Sequence, residues 1–158
     1  MSTTTFSEPA KKHLGQNFLH DRGVIDKIVQ ATNPQPGDAI VEIGPGQGAL
    51  TFPLLRKHGA LTAIEFDRDL HAPLQAAARA HGQLRLVEGD VLGVDFTALA
   101  AELGVEKIQI RLVGNLPYNL SSPILFHALD HAPAIRDMHF MLQKEVVERM
   151  AAGPGSKV

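Results

Sequence analysis

The chain has 158 residues, 44% of them hydrophobic, which is enough to bury one core but leaves no residues for a second domain. It has no cysteine, no run of 18 apolar residues and no charged-then-apolar leader; this excludes disulfides and Cys-ligated zinc and sets the expectation of a cytoplasmic protein, neither secreted nor membrane-spanning. The net charge of −2 and pI near 6.4 by themselves favour a small-molecule or protein substrate over nucleic acid, since a protein that grips many phosphates usually shows a basic face.

In chain order, residues 1–10 read as a disordered tail and 11–158 as one α/β domain. Asp21 is placed to cap a helix whose apolar residues Val24, Ile25, Ile28 and Val29 keep helical spacing, ended by Asn33-Pro34-Gln35-Pro36-Gly37. Strand Ala39 to Ile43, helix Ala49 to His58, strand Leu61 to Glu65, helix Asp69 to Ala80 and strand Leu84 to Glu88 follow. A short helix from Thr97 to Leu103 precedes strand Ile108 to Val113, a loop at Asn115, and a helix that Ser122 is expected to cap with Pro123 in its first position. Strand Met138 to Leu142 and helix Gln143 to Ala152 close the pattern. This alternation predicts a parallel sheet with helices on both faces, its right-handed crossovers bringing every binding loop to the strand C-termini.

Three of those strand ends present a Gly-rich turn and two acids. Gly44-Pro45-Gly46-Gln47-Gly48 lets the backbone turn tightly and approach a ligand. Its spacing differs from the dinucleotide fingerprint and it lacks the Lys-Ser/Thr of a phosphate loop, so neither NAD nor ATP is favoured. Glu65, 21 positions past Gly44, stands where an acid accepts from ribose hydroxyls, and Asp90 is placed to accept from an adenine amine; together they describe one adenosine-binding crevice. Glu42, inside the first strand, is expected to bond nearby backbone amides. After the fourth strand, Asn115-Leu116-Pro117-Tyr118 sets an amide, a rigid turn and an aromatic ring in series. The Asn115 carboxamide oxygen can accept one proton of an exocyclic amine, Pro117 fixes the local backbone so that a neighbouring carbonyl can accept the other, and Tyr118 can stack on the base. His127 and His131, four apart on a helix, have the spacing of two metal ligands but no third, and no metal site is expected.

The segments Lys12-His13-Leu14-Gly15-Gln16-Asn17-Phe18-Leu19, Glu42 to Gly48, Glu65-Phe66-Asp67, Gly89-Asp90, Asn115 to Pro123 and Phe140 to Val146 occur in the order and spacing of the ribosomal RNA adenine N6,N6-dimethyltransferases of the small-subunit type, which the chain resembles from about residue 11 to 158. The resemblance implies a Rossmann-like S-adenosylmethionine-dependent methyltransferase fold. Asn17, Leu19, Gly44, Gly46, Glu65, Asp90 and Asn115 would hold the cofactor, Asn115, Leu116, Pro117 and Tyr118 the target base, and small-subunit rRNA or the pre-ribosomal small subunit would be the partner of a protein monomeric when full length. It also implies a final strand pair and a C-terminal helical domain that this sequence lacks, so the chain is expected to be part of a catalytic domain. Cations able to gather on one side are Lys11, Lys12, His13, Arg22, Lys27, Arg56, Lys57, Arg136, Lys144 and Arg149. The alternatives are a large-subunit rRNA or other N6-adenine methyltransferase, and a non-catalytic RNA-binding or ribosome-assembly factor on the same scaffold.

Overall fold

The computed structural model describes residues 22–116 and 118–141. Helix α1 (Arg22–Thr32) turns Ile25, Ile28 and Thr32 inward at helical spacing, and the Thr32 hydroxyl donates to the Ile28 carbonyl at 2.7 Å. Strand β1 (Ala39–Ile43), helix α2 (Thr51–His58), strand β2 (Ala60–Glu65), helix α3 (His71–Ala78), strand β3 (Gln83–Glu88), helix α4 (Phe96–Glu102), strand β4 (Ile110–Asn115), helix α5 (Tyr118–Asp130) and strand β5 (Ile135–Met141) follow. Single 3-10 turns at Arg68–Leu70, Val91–Gly93 and Ala132–Ala134 lead into α3, α4 and β5.

The strands are all parallel, in the order β3-β2-β1-β4-β5. From β1 the chain winds outward through β2 to β3, then crosses back to β4 and winds the other way. The loops leaving β1 and β4 therefore diverge, and the crevice between them is the switch point of a doubly wound sheet. β1 and β4 read as near-continuous apolar runs because both their faces are covered. Val41, Ile43, Ile64, Ile110 and Leu112 meet Phe96, Leu99, Ile124 and Ala128 from α4 and α5. Alternate residues Ile40, Leu61, Val113 and Met141 meet Ile25, Ile28, Leu54, Leu55 and Ala78 from α1, α2 and α3. Helices thus cover both faces, as the sequence predicts.

Several elements depart from expectation, β5 among them, since it begins at Ile135 rather than Met138. α5 begins at Tyr118, so Ser122 is not its cap and Pro123 lies inside the helix. Ser121, Ile124 and Ala128 are all buried at spacings of three and four, and that tertiary contact extends the helix toward its start through a position where the missing proline N–H forfeits one bond. β4 begins at Ile110 rather than Ile108, because Gln109 adopts φ +73 and Ile108 stays 44% exposed; the strand then runs on to include Asn115. The expected helix Asp69 to Ala80 starts as a 3-10 turn before α3. The tail, Asp21 and the helix Gln143 to Ala152 lie outside the described residues.

The N-terminal end of the sheet is tied by ions. The Arg111 guanidinium, on β4 and almost fully buried, donates to both Asp137 oxygens and to Asp38 Oδ2 at 2.8 Å. A register shift after Ile110 leaves Arg136 out of the ladder, as a bulge, and its guanidinium reaches Asp38 Oδ1 at 3.0 Å. Burial pushes both carboxyl pKa values up, yet the Gln35 amide, Arg111 and Arg136 hold Asp38, and Arg111 with His139 holds Asp137, below the usual carboxylate range.

Candidate functional site

At the opposite end of the sheet the chain leaves β1 through Gly44, Gly46 and Gly48, with φ of +67, +57 and +96. Side-chain-bearing residues rarely adopt these angles. A Cβ on Gly44 or Gly46 would meet nothing within 4 Å, so the turn faces open space, whereas one on Gly48 would collide with the Phe52 ring that closes the turn from behind. The Gly44 N–H donates to the Ile64 carbonyl at 2.9 Å, anchoring the turn to the neighbouring strand.

Glu65 ends β2 beside this turn and is 7% exposed. Its Oε1 accepts from the Gly46 N–H at 3.0 Å and its Oε2 from the Asp67 N–H at 2.9 Å. Each oxygen keeps a second lone-pair site, so the carboxylate can brace the turn and still accept from two hydroxyls. Glu42 departs from expectation: its Oε1 accepts from the Thr51 hydroxyl at 2.6 Å rather than from backbone amides, because its place on β1 points it beneath the start of α2. Burial drives the Glu42 pKa up to about 8; the Thr51 bond offsets part of this and the nearby Glu65 charge adds to it. Asp90 follows Gly89 (φ +138) at the end of β3; it is exposed, and its Oδ1 accepts from the Leu92 N–H at 3.0 Å, capping the 3-10 turn.

Asn115 is the last residue of β4. Since Gly114 pairs with Ile43, Asn115 stands level with Gly44. It is half-buried, and its carboxamide makes no hydrogen bond to another described residue. The strands approach closely here, for a Cβ on Gly114 would stand 2.9 Å from the Ile43 carbonyl oxygen. The buried Leu116 donates its N–H to the Met141 carbonyl at 3.2 Å. Tyr118 opens α5; its side chain, Pro117, Asn17 and Leu19 lie outside the described residues.

The structure thus gathers Gly44, Gly46, Glu65, Asp90 and Asn115 at the C-terminal ends of four adjacent strands. The sequence reading assigned nothing to three further residues. Thr51 partners Glu42, Gly114 permits the close approach of β1 and β4, and Phe66, directly after Glu65, is 73% exposed at the rim. An aromatic next to a strand-end acid was the available signal for Phe66. His127 and His131 are engaged otherwise: His127 bonds the Val94 carbonyl, His131 bonds Thr97, and both pack against Phe96. Among the described residues no three His, Asp or Glu side chains gather, and no helix is long and apolar enough to cross a membrane. A cavity of about 470 Å³ bounded by Asp38, Ala39, Thr62, Gln83 and Arg85 opens at the strand N-termini, away from this crevice.

A glycine turn, an acid braced against it and an amide unpaired among the described residues, all at the switch point of a doubly wound sheet, fit the Rossmann-like fold class of S-adenosylmethionine-dependent methyltransferases. Within that class the chain belongs to the ribosomal RNA adenine dimethylase family, whose model matches residues 7–158. It is 72% identical over 155 residues to the ribosomal RNA small subunit methyltransferase A of Xanthomonas campestris pv. campestris (strain B100), covering 98% of this chain and 57% of that protein. Among solved structures it is similar to the 23S rRNA methyltransferase ErmE, at a TM-score of 0.70 and 28% identity over 88% of this chain and 52% of that one. It is also similar to a dimethyladenosine transferase from Plasmodium falciparum, at 0.69 and 30% over 86% of this chain and 46% of that one.

Proposed function

We propose that the chain carries the S-adenosylmethionine-binding and base-binding parts of an enzyme that methylates N6 of adenine in small-subunit ribosomal RNA, on two adjacent adenosines near the 3′ end of 16S rRNA. The observation that carries this reading is the half-buried Asn115 carboxamide, unpaired among the described residues and level with the open Gly44 turn. An amide drawn partly out of water without a partner is costly, and a ligand amine would satisfy it.

The residues fit the cofactor. Open space where Cβ atoms of residues 44 and 46 would stand leaves room for its methionine end, Glu65 keeps acceptor sites for the ribose, and the exposed Asp90 and Phe66 are free to meet the adenine. When bound, the cofactor supplies a methyl group already activated on a sulfonium. The chain's own work is to place the amine in line with that methyl and to exclude water. Asn115 and the Leu116 carbonyl accept the amine protons, which turns the nitrogen lone pair toward the methyl carbon, and Tyr118 stacks on the base. No general base is required for the attack, since the amine reacts neutral.

The test separates the two subsites. Calorimetry with S-adenosylhomocysteine should show binding to the chain and its loss in Glu65→Ala, which forfeits charge-assisted bonds worth about 1.5 to 3 kcal/mol each. Asn115→Ala should bind within a few-fold of wild type, while turnover on undermethylated small subunits by the longest reading frame containing this chain drops roughly a hundredfold. Loss of cofactor affinity in Asn115→Ala, with Glu65→Ala unaffected, would invert the assignment and sink it.

A further inference from the structure

The two helical layers carry opposite charge. Helices α1, α2 and α3 expose Arg22, Lys27, Arg56, Lys57 and Arg79 against Asp26, with Asp67, Arg68 and Asp69 in the turn before α3. The layer of α4 and α5, with the loop into β4, exposes Asp95, Glu102, Glu106 and Asp130 against Lys107 and the neighbouring Arg85 of β3. An overall charge of −2 therefore conceals a basic side and an acidic side.

Helix dipoles do not explain the partition. They favour cations at C-terminal ends, which suits Arg56, Lys57 and Arg79 but not Arg22, at the first position of a helix with no acid in its first turn. The same rule would put a cation at the end of α4, where Glu102 stands. Nor do the five serve the fold through ion pairs: among the described residues none is paired with a carboxylate, whereas Arg85 is bridged to Glu102 at 3.2 Å on the other face. Uncompensated like charges held on one side repel one another, and a polyanion would relieve that repulsion.

From this distribution we infer that the α1–α2–α3 face is a phosphate-tracking surface, along which the RNA backbone lies while its target base enters the crevice at the strand C-termini. The inference rests on the rRNA reading above and adds which side of the molecule the RNA follows. The layer crosses the sheet from β5, against which α1 packs, to β3, against which α3 packs. That is about 19 Å, over which a duplex presents on the order of ten phosphates. A nucleic acid fits better than an acidic protein. The large exposed hydrophobics Phe66, Leu92, Ile108, Leu120, Phe126 and Leu129 all lie off these three helices, and protein interfaces have apolar, aromatic centres where nucleic-acid interfaces are polar and basic.

The experiment compares two variants of equal net charge: Arg56→Gln/Lys57→Gln/Arg79→Gln on the basic layer, and Ala98→Glu/Ala101→Glu/Leu129→Glu on the acidic one. Binding to a fluorescein-labelled RNA stem-loop is followed by anisotropy over a salt series, with S-adenosylhomocysteine binding measured alongside. The basic-layer variant should lose about two to three units of log–log salt slope and about tenfold or more in affinity at low salt. Its cofactor affinity should stay within twofold, and the acidic-layer variant should bind RNA as wild type does. Unchanged RNA binding in the first variant, equal weakening in both, or displacement of the RNA by polyglutamate at matched charge would overturn the surface. A chain that binds the cofactor but no RNA would overturn it while sparing the cofactor subsite; one that binds RNA but no cofactor would do the reverse; one that binds neither would remove both.

Discussion

Glu42 and Glu65 occupy the same face of adjacent strands at the same end of the sheet, yet their surroundings set them to different tasks. Glu65 receives two backbone N–H groups that fix it against the glycine turn, whereas Glu42 has one hydroxyl partner and nearly complete burial, and the burial favours its proton. Folded Glu42 holds that proton up to about pH 8, and the unfolded side chain releases it near 4.5. The native state binds the extra proton between those values, so the stability Glu42 contributes is complete below pH 4.5 and is lost as pH rises to 8. Glu42→Gln keeps the shape and an acceptor for Thr51 without the ionisation. The stability of wild type relative to this variant should therefore fall between pH 5 and 8, by up to about 1.4 kcal/mol per pH unit. Denaturant titrations at the two ends of that window decide it, and an unchanged difference would mean that Glu42 is ionised throughout.

The same close packing that shields Glu42 governs how the elements meet. β1 and β4 approach at Gly114, where any side chain would press on the Ile43 carbonyl just before the glycine turn begins. Gly114→Ala should cost roughly 1 to 3 kcal/mol, since backbone rather than a flexible side chain has to yield. It should also weaken S-adenosylhomocysteine binding, because the displaced strand carries the turn. Thermal melts with and without ligand test both effects; a variant as stable as wild type would show that the strands separate freely at the switch point. The strand-length apolar runs and the glycine spacing made β1 and its turn legible in the sequence. The start of α5 was not, because Ser122-Pro123 is a sound helix-start signal that burial of Ser121, Ile124 and Ala128 overrides.

At the scale of the whole molecule the sheet has an end that carries the candidate site and an end tied by ions. Arg111 ties β4 to β5 and to the loop before β1 by holding Asp38 and Asp137 together, far from the crevice. Arg111→Met would leave two carboxylates close together without their shared counter-ion, and should destabilise the fold by about 3 to 5 kcal/mol near neutral pH. Because the folded pKa values of both acids lie below their usual range, the arginine's contribution is present at neutral pH and fades as pH falls through those values. The deficit of the variant should shrink accordingly in acid unfolding experiments. A deficit independent of pH would assign the loss to packing alone.

The chain's sequence by itself determined the alternation of elements, the parallel sheet, the glycine turn and the strand-end acids, since each rests on local periodicity or on a backbone conformation that one residue type supplies cheaply. It also held the family, through motifs whose order is written along the chain. Tertiary structure alone decided that Glu42 meets Thr51 instead of backbone amides, that Asn115 falls level with Gly44, that Arg111 gathers acids from residues 38 and 137, and that five cations spread over three helices share one face. These are relations between residues far apart in sequence, set by strand register and helix layering, and no local pattern encodes them.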